Sequence, residues 1–151
     1  MSAGALFFDE AGRLLVVEPA YKPNWEIPGG VVELNESPRQ GCVREVKEEL
    51  GLERPLHQLL CIDYLSECED KTEALVFIFW GGTLSEDEIQ SIQLPADELR
   101  RFAFLDLAEV YGRFNQRLSQ RVRQSVAALA EKRTIYLEDQ QIPAGERCLI
   151  I

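Results

Sequence analysis

Near the start of the chain, apolar residues come in short runs. Gly4 to Phe8 and Leu14 to Glu18 are rich in strand formers, and the Asp9-Glu10-Ala11-Gly12 cluster between them has the composition of a turn, so the pattern predicts a hairpin. A Pro- and Gly-containing stretch from Pro19 to Gly30 follows. The period then changes. Ser37-Pro38 supplies a capping side chain and a proline that fits a first helical turn, and the helix predicted there runs to about Leu50, with Gly51 as its stop.

Two further strands are predicted at Leu56 to Ser66 and Ala74 to Trp80, joined by the polar loop Glu67-Cys68-Glu69-Asp70-Lys71. In the second, Leu75, Phe77 and Phe79 alternate with Val76, Ile78 and Trp80, so both faces are apolar, as in a central strand covered on both sides. The acidic region from Thr83 to Leu99 has no assigned element, and its Glu86-Asp87-Glu88 run reads as solvated surface; a strand is predicted from Leu99 to Leu105. Asn115 to Lys132 reads as an amphipathic helix, with Leu118, Val122, Val126 and Leu129 on one face and Arg117, Gln120, Arg121 and Gln124 largely away from it. Thr134 to Leu137 adds a small last strand. Without strict βαβ alternation, this order predicts an α/β (α+β) class, a sheet sandwiched by helices, as a single domain over residues 1–151.

Charge narrows the partners. With 26 acidic against 16 basic residues the chain carries a net charge of −10, which argues against broad contact with DNA or an anionic membrane. To act on an anionic phosphate, such a protein needs a divalent cation between its carboxylates and the substrate. Cys42, Cys61, Cys68 and Cys148 show no CxxC spacing and accompany a single histidine, His57, so no zinc site is expected, and free thiols suit a reducing compartment. No signal-like leader and no stretch near the roughly 18 apolar residues of a membrane span is present, so a soluble cytoplasmic protein is expected.

The candidate chemistry lies in the first helix. At about 100° per residue, setting Glu45 at 0° puts Glu48 near 300° and Glu49 near 40°, one acidic edge, while Val43, Val46 and Leu50 form a separate apolar stripe that can anchor the helix to a sheet. Like charges on adjacent turns repel, and a hard, oxygen-liganded cation such as Mg²⁺ is the natural offset. Arg44 lies four residues before Glu48 and can also reach back to Glu36 in the preceding loop. Gly41 projects on the carboxylate side, where a missing side chain lets the loop carrying Gly29 and Gly30 approach.

The segment Gly30 to Leu52, with Glu36, Arg44-Glu45-Val46, Glu48-Glu49 and Gly51-Leu52 in register, resembles the box of the Nudix (MutT-like) family, G-x5-E-x7-R-E-U-x-E-E-x-G-U, at every specified position. Trp25-Glu-Ile-Pro-Gly-Gly and the two opening strands extend the resemblance over residues 3 to 52. The resemblance implies an α/β/α sandwich around a mixed sheet. It implies that Glu45, Glu48 and Glu49 bind the catalytic metal, Mg²⁺ with Mn²⁺ as a substitute, that the Gly29 carbonyl is a further ligand, and that Gly30, Glu36, Arg44 and Gly51 are structural. Asn35 stands where glycine is frequent in the family, and asparagine tolerates the left-handed backbone.

The implied reaction is water attack on a phosphoanhydride of a nucleoside diphosphate linked to another moiety: a nucleoside triphosphate, nucleotide sugar, ADP-ribose or dinucleotide. Glu48 or Glu49 is the simplest general base, with Glu69, Asp70, Glu73, Glu86, Glu88 and Glu98 as candidates outside the box. Tyr21, Lys22 and Trp25 are candidate substrate contacts, with packing the alternative for Trp25, whereas Phe77, Phe79 and Trp80 read as sheet core and His57 as an ordinary histidine. Two other readings compete: a nucleotide sensor of the same fold that does not hydrolyse, and an RNA 5′-end pyrophosphohydrolase using Arg113, Arg117, Arg121 and Arg123. Family members are often dimers, so the resemblance also implies a homodimer.

Overall fold

A computed structural model describes residues 1–68 and 72–145. Strands β1 (Ser2–Phe8) and β2 (Leu14–Pro19) form the expected hairpin, and Asp9 shapes its turn by accepting hydrogen bonds from the Ala11 and Arg13 amides at 3.0 and 2.8 Å. A short strand, β3 (Gly29–Val31), lies antiparallel to β1 with Gly4 opposite Gly29. Its three residues are too few to show a period.

Helix α1 (Pro38–Leu50) begins and ends where its local chemistry dictates. Ser37 and Gln40 form a reciprocal capping box, and Gly51 closes the helix in a left-handed conformation at φ 69°. Strands β4 (Leu59–Leu65) and β5 (Ala74–Thr83) follow, then α2 (Glu86–Gln90), β6 (Leu99–Leu105), α3 (Leu107–Arg113), α4 (Gln116–Ala130) and β7 (Ile135–Glu138). The Glu86-Asp87-Glu88 run is thus the first turn of α2, capped by Ser85, and Glu88 pairs with Arg54 at 2.9 Å.

The strands order as β6-β2-β1-β5-β4-β7, with β3 joined to β1. The β1–β5 and β4–β7 pairs are parallel and the others antiparallel, so the sheet is mixed. β5 is central, and its alternation divides as its sequence predicts. Val76 and Ile78 join one apolar cluster with Val110 of α3, Phe114 just after it, and Val122 and Ala128 of α4; Phe77 and Phe79 join the other with Cys42, Val46 and Leu50 from α1. Two clusters on opposite faces of one sheet make an α/β/α sandwich.

The α4 wheel needs one correction. Arg121, assigned away from the apolar face, is 7% exposed and forms an ion pair at 2.7 Å with Asp63 of β4, itself wholly buried. Ser125 and Ala128, buried on the same side of α4, are small enough to leave room for it. None of the described helices is long and apolar enough to cross a membrane.

Candidate functional site

The apolar stripe of α1 packs on β1 and β3, which fixes the direction of its acidic edge. Gly30 marks the contact: a Cβ there would overlap the Glu45 carboxyl group. At Gly41 a Cβ would stand 2.7 Å from Glu36 Oε1, so this glycine lets the Glu36 loop close on the helix. Asn35 supports that loop in the left-handed region at φ 67°.

Arg44 performs both tasks its spacing allows. It donates to Glu36 at 3.2 and 2.8 Å, to the Val31 carbonyl at 3.0 Å, and to Glu45 and Glu48 at 3.0 Å each. The hydrogen bonds to Glu36 lead in raising the Arg44 pKa, and the same contact holds the Glu36 carboxyl below its ordinary value.

Glu49 faces differently from its neighbours. Its Oε2 accepts the Gly29 N–H at 2.8 Å. Burial pushes its pKa up to about 8, the nearby Glu45, Glu26 and Glu98 carboxylates add to the rise, and the Gly29 hydrogen bond opposes it. Glu26 and Glu98 therefore belong to this electrostatic neighbourhood, and Glu26 had no place in the helix pattern because it arrives from the loop before β3. Among the described residues no three acidic, histidine or cysteine side chains already converge on one point. The donor set is nonetheless of the right kind: hard carboxylate oxygens gathered around one guanidinium, with the space a Gly30 Cβ would take filled by a carboxylate.

Glu49, Gly29 and Gly30 line a cavity of about 440 Å³ that runs between β1, β5 and α4. Tyr21 and Lys22 line it too; Tyr21 is exposed, and Lys22 pairs with Glu26 at 2.8 Å. Trp25 lies in the core at 6% exposure, with the guanidinium groups of Arg101 and Arg113 over its ring. His57 is exposed and lies against Trp80, the ring centres 5.0 Å apart. The other acidic candidates disperse: Glu73 accepts from Tyr64, Glu86 from Gln90 and Glu88 from Arg54, while Glu69 and Asp70 fall outside the described residues. Of the four arginines, Arg117 and Arg121 both line this cavity, Arg117 near Cys68 and Arg121 paired with Asp63, whereas Arg113 pairs with Glu109 and Arg123 lies over Tyr111.

The model of the NUDIX domain matches residues 1–129, most of the chain. The chain belongs to the Nudix family. A "MutT-like protein" of Streptomyces ambofaciens is 42% identical over 59 residues, 39% of this chain and 38% of that protein, so the match spans well under two thirds of the relative's own length. In fold, the Nudix chain resembles the crystal structure of the MutT protein from Methanosarcina mazei Go1, with TM-score 0.69 and 21% identity, covering 87% of this chain and 93% of that one. It also resembles the NUDIX domain of Shewanella oneidensis NrtR complexed with ADP ribose, with TM-score 0.67 and 19% identity, over 85% and 86% of the two chains. Nudix hydrolases generally use divalent metal cations.

Proposed function

We propose that this chain hydrolyses a phosphoanhydride bond in a nucleoside diphosphate linked to another moiety, acting as one domain in the cytoplasm. The observation that carries the reading is that Glu49 and the Gly29–Gly30 backbone form one wall of a cavity of nucleotide size, with Glu45 one helical turn away. Glu45, Glu48 and Glu49, with the Gly29 carbonyl, would hold Mg²⁺, or Mn²⁺ by the same oxygen chemistry. Bound there, the cation would neutralise charge on the diphosphate and acidify the attacking water.

The protein's own residues supply the rest. Arg44 ties Glu36, Glu45 and Glu48 into one frame, so the loop and helix move as a unit. Glu48, the more exposed carboxylate, or Glu49, in the cavity wall, takes the proton from water. Tyr21 and Lys22 at the cavity wall contact the substrate, and Trp25 supports that loop from the core. The intact carboxylate set favours catalysis over silent nucleotide sensing, and a cavity reached by only Arg117 and Arg121 of the four arginines favours a small nucleotide over an RNA end.

The test is release of phosphate or mononucleotide across nucleoside triphosphates, nucleotide sugars, ADP-ribose and dinucleotides, in Mg²⁺ or EDTA. Cation-dependent turnover that falls about 100-fold or more in Glu48→Gln or Glu49→Gln is expected. Retained nucleotide binding with no turnover on any compound would overturn the hydrolase in favour of a sensor.

A further inference from the structure

Resting on the nucleotide-hydrolase reading, we infer that Arg121 selects the base, and that the base it selects is guanine. Arg121 reaches the cavity wall from α4 while remaining 7% exposed. Its Nε–H is donated to Asp63 Oδ2 at 2.7 Å, and among the described residues its terminal nitrogens make no other hydrogen bond. A buried guanidinium with unused donors beside a cavity is a recognition group awaiting acceptors.

Asp63 fixes that group and takes no part in recognition itself. Its Oδ1 accepts the Gln140 amide at 3.0 Å, and its Oδ2 accepts the Gln140 side-chain amide at 3.1 Å as well as Arg121. Gln140 meets it from a turn in which Asp139 and Gln140 both hold the left-handed backbone, at φ 48° and 65°. With the carboxylate occupied, the Arg121 end of the cavity offers donors.

The surrounding wall decides what kind of acceptor enters. Val76 and Ile78 of β5, Leu118 of α4 and Leu65 of β4 give apolar surfaces suited to a flat ring, with Asn115 and Arg117 as polar neighbours in the same lining, while the proposed cation and diphosphate lie at the Glu49 end. Guanine carries two adjacent acceptors, O6 and N7, on one edge, the fork that a guanidinium matches. Adenine places its amino donor beside N7 and would set donor against donor.

The first experiment compares kcat/KM for GTP, ATP, CTP, UTP and the guanosine analogue with N7 replaced by C–H, on the unaltered protein with Mg²⁺. We expect GTP to lead, and loss of N7 to lower kcat/KM by about tenfold. Arg121→Lys then keeps a positive charge against Asp63 and loses the fork, so the GTP preference over ATP should fall about tenfold or more. Equal use of the bases, indifference to N7, or a preference unchanged in a folded Arg121→Lys protein would each overturn the assignment while leaving the hydrolase standing. If no triphosphate is turned over, calorimetric binding of GDP against ADP gives the same comparison: guanine-selective binding lost in Arg121→Lys would keep the assignment and leave the hydrolase to the other compound classes, and binding blind to the base would remove the assignment.

Discussion

Arg44 and Arg121 both meet carboxylates, yet they do opposite things. Arg44 is 25% exposed and serves Glu36, Glu45 and Glu48 at once, with Glu33 at 4.0 Å, one positive charge among four negative ones. Arg121 and Asp63 are a one-to-one pair, with Asp63 wholly buried and also bonded by Gln140, and Arg121 at the cavity wall. The first arrangement has surplus negative charge at an open edge and calls for a further cation; the second is balanced. An arginine–carboxylate contact thus calls for a further cation or holds its own arginine in place according to the charge count around it and its access to solvent.

The largest expected effect breaks the buried pair. Asp63→Ala strands a buried guanidinium and should cost about 3–5 kcal/mol in urea denaturation. Arg44→Ala, at the wet edge, should cost about 1 kcal/mol or less in the same assay while abolishing turnover. Equal losses would erase the distinction.

Gly30→Ala should act on the edge alone. The new methyl group displaces the end of the flexible Glu45 side chain, so the Mg²⁺ concentration for half-maximal activity should rise about tenfold with little change in melting temperature.

A smaller effect concerns Glu49 in EDTA. Its pKa rises from an ordinary 4.5 to about 8 on folding, so the folded state holds this proton more tightly than the unfolded state. Its ionisation therefore lowers stability as pH rises through that window. Melting temperatures in EDTA should show a downward component that Glu49→Gln removes, and added Mg²⁺ should stabilise most at the upper end of the range. Smallest of all is Leu34→Ser: that side chain is 91% exposed in the loop before α1, and the change should lie within about 0.5 kcal/mol.

The same two regions show why some of this was legible in the sequence. α1 announces itself through neighbours in the chain: Ser37-Pro38, the i, i+3, i+4 carboxylates and Gly51 all act within a few residues of one another. Arg121 is interpretable only through Asp63, 58 positions earlier, and Gln140, contributed by a turn after β7. A helical wheel places arginine outward because it cannot see a carboxylate on another element; the small Ser125 and Ala128 beside it were the available hint. β3 was missed because a three-residue strand is defined by its partner β1. Glu26 was missed for a related reason: a loop brings it to Glu49, and no spacing rule connects them.

The parallel pairing of β1 with β5 has a consequence for how the molecule is made. Ser2 lies opposite Val76 and Phe8 opposite Thr83, so the strand that supports α1 gains its central neighbour only after more than half of the chain is available. Such distant pairing pays its loop-closure entropy before it gains contacts, and topologies rich in it fold slowly. On a ribosome, the acidic helix would emerge with its caps and charge pattern already complete but without the platform that aims it. Assembly of the acidic edge is therefore a late event, timed by the arrival of β5.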